Sequence, residues 1–64
     1  MTQKELLYIE DAIGHEKSII SICNDTISKL QNEELINFIN QEIENHNTIL
    51  TNLTNLLEAK SNGW

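Results

Sequence analysis

The sequence predicts an all-α fold, an antiparallel two-helix hairpin that pairs with a second copy into a four-helix bundle. Three observations predict it. Apolar residues recur at alternating steps of three and four through two long stretches, which is the period of a helix face and not of a strand. Proline is absent, and Gly14 is the only glycine before position 63, so little in the chain interrupts a helix. Both stretches also carry more apolar surface than a single neighbouring helix can cover.

The first helix is expected over about residues 3–30. Leu6, Ile9, Ile13, Ile20, Cys23, Ile27 and Leu30 form its apolar series, which Glu16 alone breaks. Thr2 followed by Glu5 reads as a capping box, hydroxyl and carboxylate each satisfying a backbone donor of the other residue. Lys29 in the last turn suits the carbonyl end of the helix dipole. Gly14 in the interior costs about 1 kcal/mol relative to alanine. Either a neighbouring helix approaches closely there or the position is simply tolerated.

The turn is short. Asn32 is a good N-cap for a second helix over about residues 33–60, and Glu33 and Glu34 put negative charge in its first turn. Its apolar series runs Leu35, Ile39, Ile49, Leu53, Leu56, interrupted at Glu42 and His46. A second row, spaced by seven, lies beside it: Ile36, Ile43, Leu50, Leu57. Lys60 occupies the last turn, and Gly63 or Asn62 can supply the stop. Two helices of nearly equal length joined by two or three residues fold back antiparallel.

One chain is too small to hide this much apolar surface. A 64-residue chain buries only about 60% of its unfolded surface even as a compact globule. Leu7, Ala12, Ile19 and Ile22 flank the first series, and Phe38 adds to the second. Each exposed Ile or Leu forgoes roughly 1.5–3 kcal/mol of burial. A two-fold dimer is the simplest closure; a larger homo-oligomer, or a partner supplying the missing helices, satisfies the same physics. The rows Leu6, Ile13, Ile20, Ile27 and Ile36, Ile43, Leu50, Leu57, with Ile39 and Leu53, are expected to carry the interface.

Glu16, Glu42 and His46 stand where the pattern asks for apolar residues, and the hairpin brings all three to neighbouring levels. They are expected to form a polar layer inside the bundle. A Glu–His hydrogen bond there would fix the register of the helices. Oxygen and imidazole donors also suit iron, manganese or zinc, and the composition is similar to that of ferritin-like di-iron bundles. Those use a Glu-x-x-His unit, whereas position 43 here is Ile43 and the available pair is Glu42 and His46, four apart. A solvated pair at the seam edge is the third reading. His15, four after Asp11, reads as a surface residue, and Cys23 as a buried structural thiol.

Composition narrows the function. Eight Glu and two Asp face four Lys and no Arg, a net charge of −6, which points away from nucleic acid. No run of 18 apolar residues is present to span a membrane, and the acidic polar faces disfavour membrane association. The opening MTQKELL carries no basic region followed by an apolar stretch, so a cytoplasmic protein is expected. A single cysteine excludes an internal disulfide and a cysteine-rich zinc module. Two Asn-x-Thr triplets fall within the expected helices and carry no weight as glycosylation sites. No nucleophile–base arrangement or glycine-rich phosphate loop is present, so neither an enzyme nor a cofactor is expected.

Several local features together resemble the spore coat protein F family of spore-forming bacteria. They are Glu16–Lys17 in GHEKSIIS, Asn24 eight residues after Glu16, the acidic turn NEELINFI, Glu44–Asn45–His46 in IENH, and Gly63–Trp64. Cys23 stands where that family often has a tyrosine. The resemblance implies a ferritin-like helical hairpin without known catalysis. Its setting would be the bacterial mother cell or spore coat, with other coat proteins as further partners. The expected function is thus a non-catalytic structural and interaction protein. The alternative is a metal-binding mini-bundle using Glu16, Glu42 and His46.

Overall fold

Apolar steps of three and four, with no proline to interrupt them, yield two helices and nothing else among the described residues, which are 1–61 of this computed structural model. Helix α1 spans Gln3–Ile27 and α2 spans Glu33–Ser61. They pack side by side as an antiparallel hairpin. The expected helix stop at Asn62–Gly63 and the terminal Trp64 lie outside the described residues.

Each start signal acts as the sequence suggests. The Thr2 N–H donates to Glu5 Oε1 at 2.8 Å, and the Glu5 N–H donates to Thr2 Oγ1 at 3.1 Å, closing the capping box. The Leu35 N–H donates to Asn32 Oδ1 at 3.0 Å, and the Ile36 N–H to the Asn32 carbonyl at 3.0 Å. The N–H groups of Thr2, Glu5 and Leu35, three donors that helix starts would leave without partners, are thereby satisfied, and the Ile36 bond is the first of the α2 ladder.

Helix α1 ends at Ile27, short of the expected residue 30. The Lys29 N–H bonds to the Thr26 carbonyl and the Leu30 N–H to the Ile27 carbonyl, the three-residue span that tightens a last turn and ends the α ladder. Ser28 Oγ takes a further orphan carbonyl, that of Asp25, at 2.5 Å. Lys29 therefore lies beyond the last helical turn, which holds no basic residue. It pairs instead with Asp25 at 2.8 Å. Lys60 does occupy the last turn of α2.

The packing is a coiled-coil seam. On α1, Leu6, Ile9, Ile13, Glu16, Ile20, Cys23 and Ile27 are all half-buried, as is Leu30 just beyond its end. On α2 the seam is Ile36, Ile39, Ile43, His46, Leu50, Leu53 and Leu57, again half-buried throughout. Both follow the three-four alternation that keeps one stripe facing a partner helix. This corrects one expectation. Leu35, Ile49 and Leu56 do not share the seam with Ile39 and Leu53; they lie on its flank and remain 41–51% exposed. All ten residues expected at the assembly interface sit in this intramolecular seam. Gly14 meets no close approach, since a Cβ built there has no neighbour within 4 Å.

The hairpin is a thin rod. Its Cα extents are 48 × 14 × 11 Å and its radius of gyration is 14.8 Å, against about 11 Å for a compact chain of this length. Its accessible surface is 4848 Å², against roughly 4,200 Å² for a compact monomer of this mass. Among the described residues, no side chain is fully buried.

Candidate functional site

The polar layer forms at mid-length. Glu16 stands two turns after Ile9 on the α1 seam, and His46 stands on the α2 seam between Ile43 and Leu50. The antiparallel register brings them level, and His46 Nδ1 lies 2.5 Å from Glu16 Oε2. A carboxylate accepts only, so Nδ1 carries the proton and donates. The side chains are 15% and 24% exposed for Glu16 and His46, so the bond is largely withdrawn from water. Sliding either helix by a turn would leave both groups facing aliphatic side chains, so the bond is specific to the register seen here.

Glu42 sits differently. One turn before His46, it lies on the flank, with its Oε2 3.8 Å from His46 Nε2 and its side chain 38% exposed. That is beyond a hydrogen bond. Glu42 therefore attends the layer from the side and does not complete it from within. The expected trio comes together, but as one tight pair and one outlying carboxylate.

The same geometry bears on the metal reading. Two donors sharing an ion at about 2.0–2.2 Å each stand about 3 Å or more apart. Glu16 and His46 are closer, at 2.5 Å. Among the described residues, no three His, Cys, Asp or Glu side chains are grouped to hold a metal ion. The arrangement favours the register bond.

Outside this layer two exposed ion pairs, His15–Asp11 and Lys29–Asp25, lie on the surface. His15 and Asp11 lie 3.6 Å apart and are both exposed, as expected for His15. Cys23 is a half-buried free thiol on the α1 seam. The two Asn-x-Thr triplets both lie within helices. The Glu5 carboxyl is held below the usual carboxylate range by the Thr2 backbone N–H, with the Thr2 side chain adding to it and desolvation opposing. Among the described residues, no helix is long and apolar enough to cross a membrane.

The sequence points to Leu7, Ile22 and Phe38 as apolar surplus but not to the rest of the exposed apolar set. Leu7, Tyr8, Ile22, Leu35, Phe38, Ile49 and Leu56 are 41–67% exposed. Tyr8 drew no notice in the sequence, and Leu35, Ile49 and Leu56 passed for seam residues. The unbroken heptad from Ile36 to Leu57 was the signal that separates the two rows. In comparisons with known proteins, no family model matches the chain, and no curated protein or solved structure shows significant similarity to it.

Proposed function

We propose that this chain is a non-catalytic structural and interaction protein that self-associates through apolar helix surface into a four-helix bundle. The observation that carries the reading is the burial deficit of the single hairpin. Among the described residues it holds no fully buried side chain and leaves seven large apolar residues largely in water. A domain in this state forgoes most of the stabilisation that offsets chain entropy, and contiguous exposed apolar surface marks an interaction site. A second hairpin supplies two further helices and gives each seam a roof. The resemblance to the spore coat protein F family supports the same reading, because it implies a helical hairpin of structural rather than catalytic use. On that reading the setting is the mother cell or coat of a spore-forming bacterium, with other coat proteins as further partners.

The test is absolute mass by light scattering at low micromolar concentration, with melting followed by circular dichroism. The expected result is a multiple of 7.4 kDa and a melting temperature that rises with protein concentration. A cooperatively melting 7.4 kDa particle would overturn the proposal.

A further inference from the structure

We infer that self-association uses one lateral face of the hairpin, and that its occupant is the same face of a second copy across a two-fold axis. The inference rests on the self-association reading above and adds which surface carries it.

The face follows from the seam. On α1 the row beside Ile9, Glu16 and Cys23 is Ala12, Ile19 and Thr26; on α2 the row beside Ile39, His46 and Leu53 is Glu42, Ile49 and Leu56. In an antiparallel pair these two rows lie on the same side of the rod. A hollow lined by Met1, Glu5, Leu56 and Lys60 shows the two rows side by side at one end, since Glu5 begins the α1 row. One turn before Ala12, Thr26 and Glu42 come Tyr8, Ile22 and Phe38, the next positions outward on this side, a row they share with His15, Asn45 and Asn52. Among the described residues, six of the seven exposed large apolar ones thus share one face: Tyr8, Ile22, Leu35, Phe38, Ile49 and Leu56. Leu7 alone points elsewhere. The opposite flank is polar, with Glu10, Lys17 and Asn24 on α1 and Asn40 and Asn47 on α2.

Charge is segregated in the same way. Of the ten acidic residues, only Glu5 and Glu42 lie on the apolar face and Glu16 in the seam; the other seven lie on the remaining surface. A net charge of −6 per chain therefore does not oppose face-to-face approach. The footprint is large enough. Cα extents of 48 by 14 Å, widened by the side chains, approach the roughly 800 Å² per partner of a stable interface. Because the hairpin has one such face and a polar flank behind it, a two-fold pair is closed and leaves no second patch to propagate.

The test compares two substitutions of matched exposure in the full chain. Ile22 is 64% exposed on the face and Leu7 is 60% exposed off it, so a lysine at either position costs an isolated hairpin little. Dimer dissociation is measured by sedimentation equilibrium. Ile22→Lys is expected to weaken the dimer at least about tenfold, the loss occurring twice across the axis, while Leu7→Lys leaves it unchanged. Glu42→Leu, which completes an apolar row from Leu35 to Leu56, is expected to tighten it; this gain keeps the test decisive if Ile22→Lys also unfolds. Equal effects of the two lysines, or no tightening by Glu42→Leu, would overturn the face while leaving self-association standing. A folded monomeric wild type would remove the reading beneath it.

Discussion

Removing the Glu16–His46 bond tests what the polar layer is for. The pair is 2.5 Å apart and mostly withdrawn from water. A hydrogen bond to a charged group contributes about 1.5–3 kcal/mol. Residual exposure of both side chains and the freedom lost in holding them bring the expected coupling to about 1–2 kcal/mol in a double-mutant cycle. Glu16→Ala, His46→Ala and the double variant are melted at pH 7 and one fixed protein concentration, because association moves the midpoint. For a chain of this size 1 kcal/mol corresponds to about 4–8 °C. A coupling under about 0.5 kcal/mol would refute a bond that matters, since independent sites already deviate from additivity by that much. Replacing both residues with Leu separates stability from specificity. Each Leu placed in the seam adds up to about 1.5–3 kcal/mol of burial, so the double-Leu chain melts higher. It also loses its single register, and a distribution of masses is expected. One unchanged, uniform species would refute the register role.

Three further outcomes follow from the same geometry. Ile43→Asp or Leu50→Asp puts a charge in the seam, and circular dichroism with sedimentation should show helicity and assembly lost together; a folded monomer of either variant counts against a cooperative bundle. Gly14→Ala should raise stability by about 1 kcal/mol, seen as a higher melting temperature, because the new Cβ meets nothing within 4 Å and the position lies off the apolar face. Glu5 is held below the usual carboxylate range by Thr2, so its contribution is full above the unfolded-state pKa of about 4.3 and is lost as pH falls through the lower folded-state value. Urea titrations of wild type and Glu5→Ala should differ at pH 7 and converge toward pH 2.

The helices were legible because their signals are local. Thr2 with Glu5 and Asn32 with Glu33 specify two starts that the backbone then uses, and an uninterrupted three-four period needs no tertiary knowledge. The end of α1 was not legible. Lys29 and Leu30 continue the pattern, but nothing in their side chains announces the tightened bonds that stop the ladder at Ile27. The meeting of Glu16 with His46 was legible as a level, because a short turn limits how far two antiparallel helices can slide, leaving the bond to select among the few remaining registers. That Glu42 would stand aside was not, since it required knowing which of two adjacent rows on α2 turns inward.

That ambiguity carries information of its own. A helix needs only one apolar stripe to close a hairpin, and Ile36, Ile39, Ile43, Leu50, Leu53 and Leu57 supply it in full with His46. The row Leu35, Ile49, Leu56 is then surplus to the intramolecular fold, yet it is as aliphatic as the seam and stays 41–51% exposed. Surplus of this kind scattered at random would need no explanation. Here it is confined to one side, and α1 places Ala12, Ile19 and Ile22 on that same side while the reverse flank is polar. Two helices with independent chemistry have no local reason to agree on a side. A surface that must be covered as a unit supplies one, which is why the row that made the seam hard to choose is also the strongest argument for a partner.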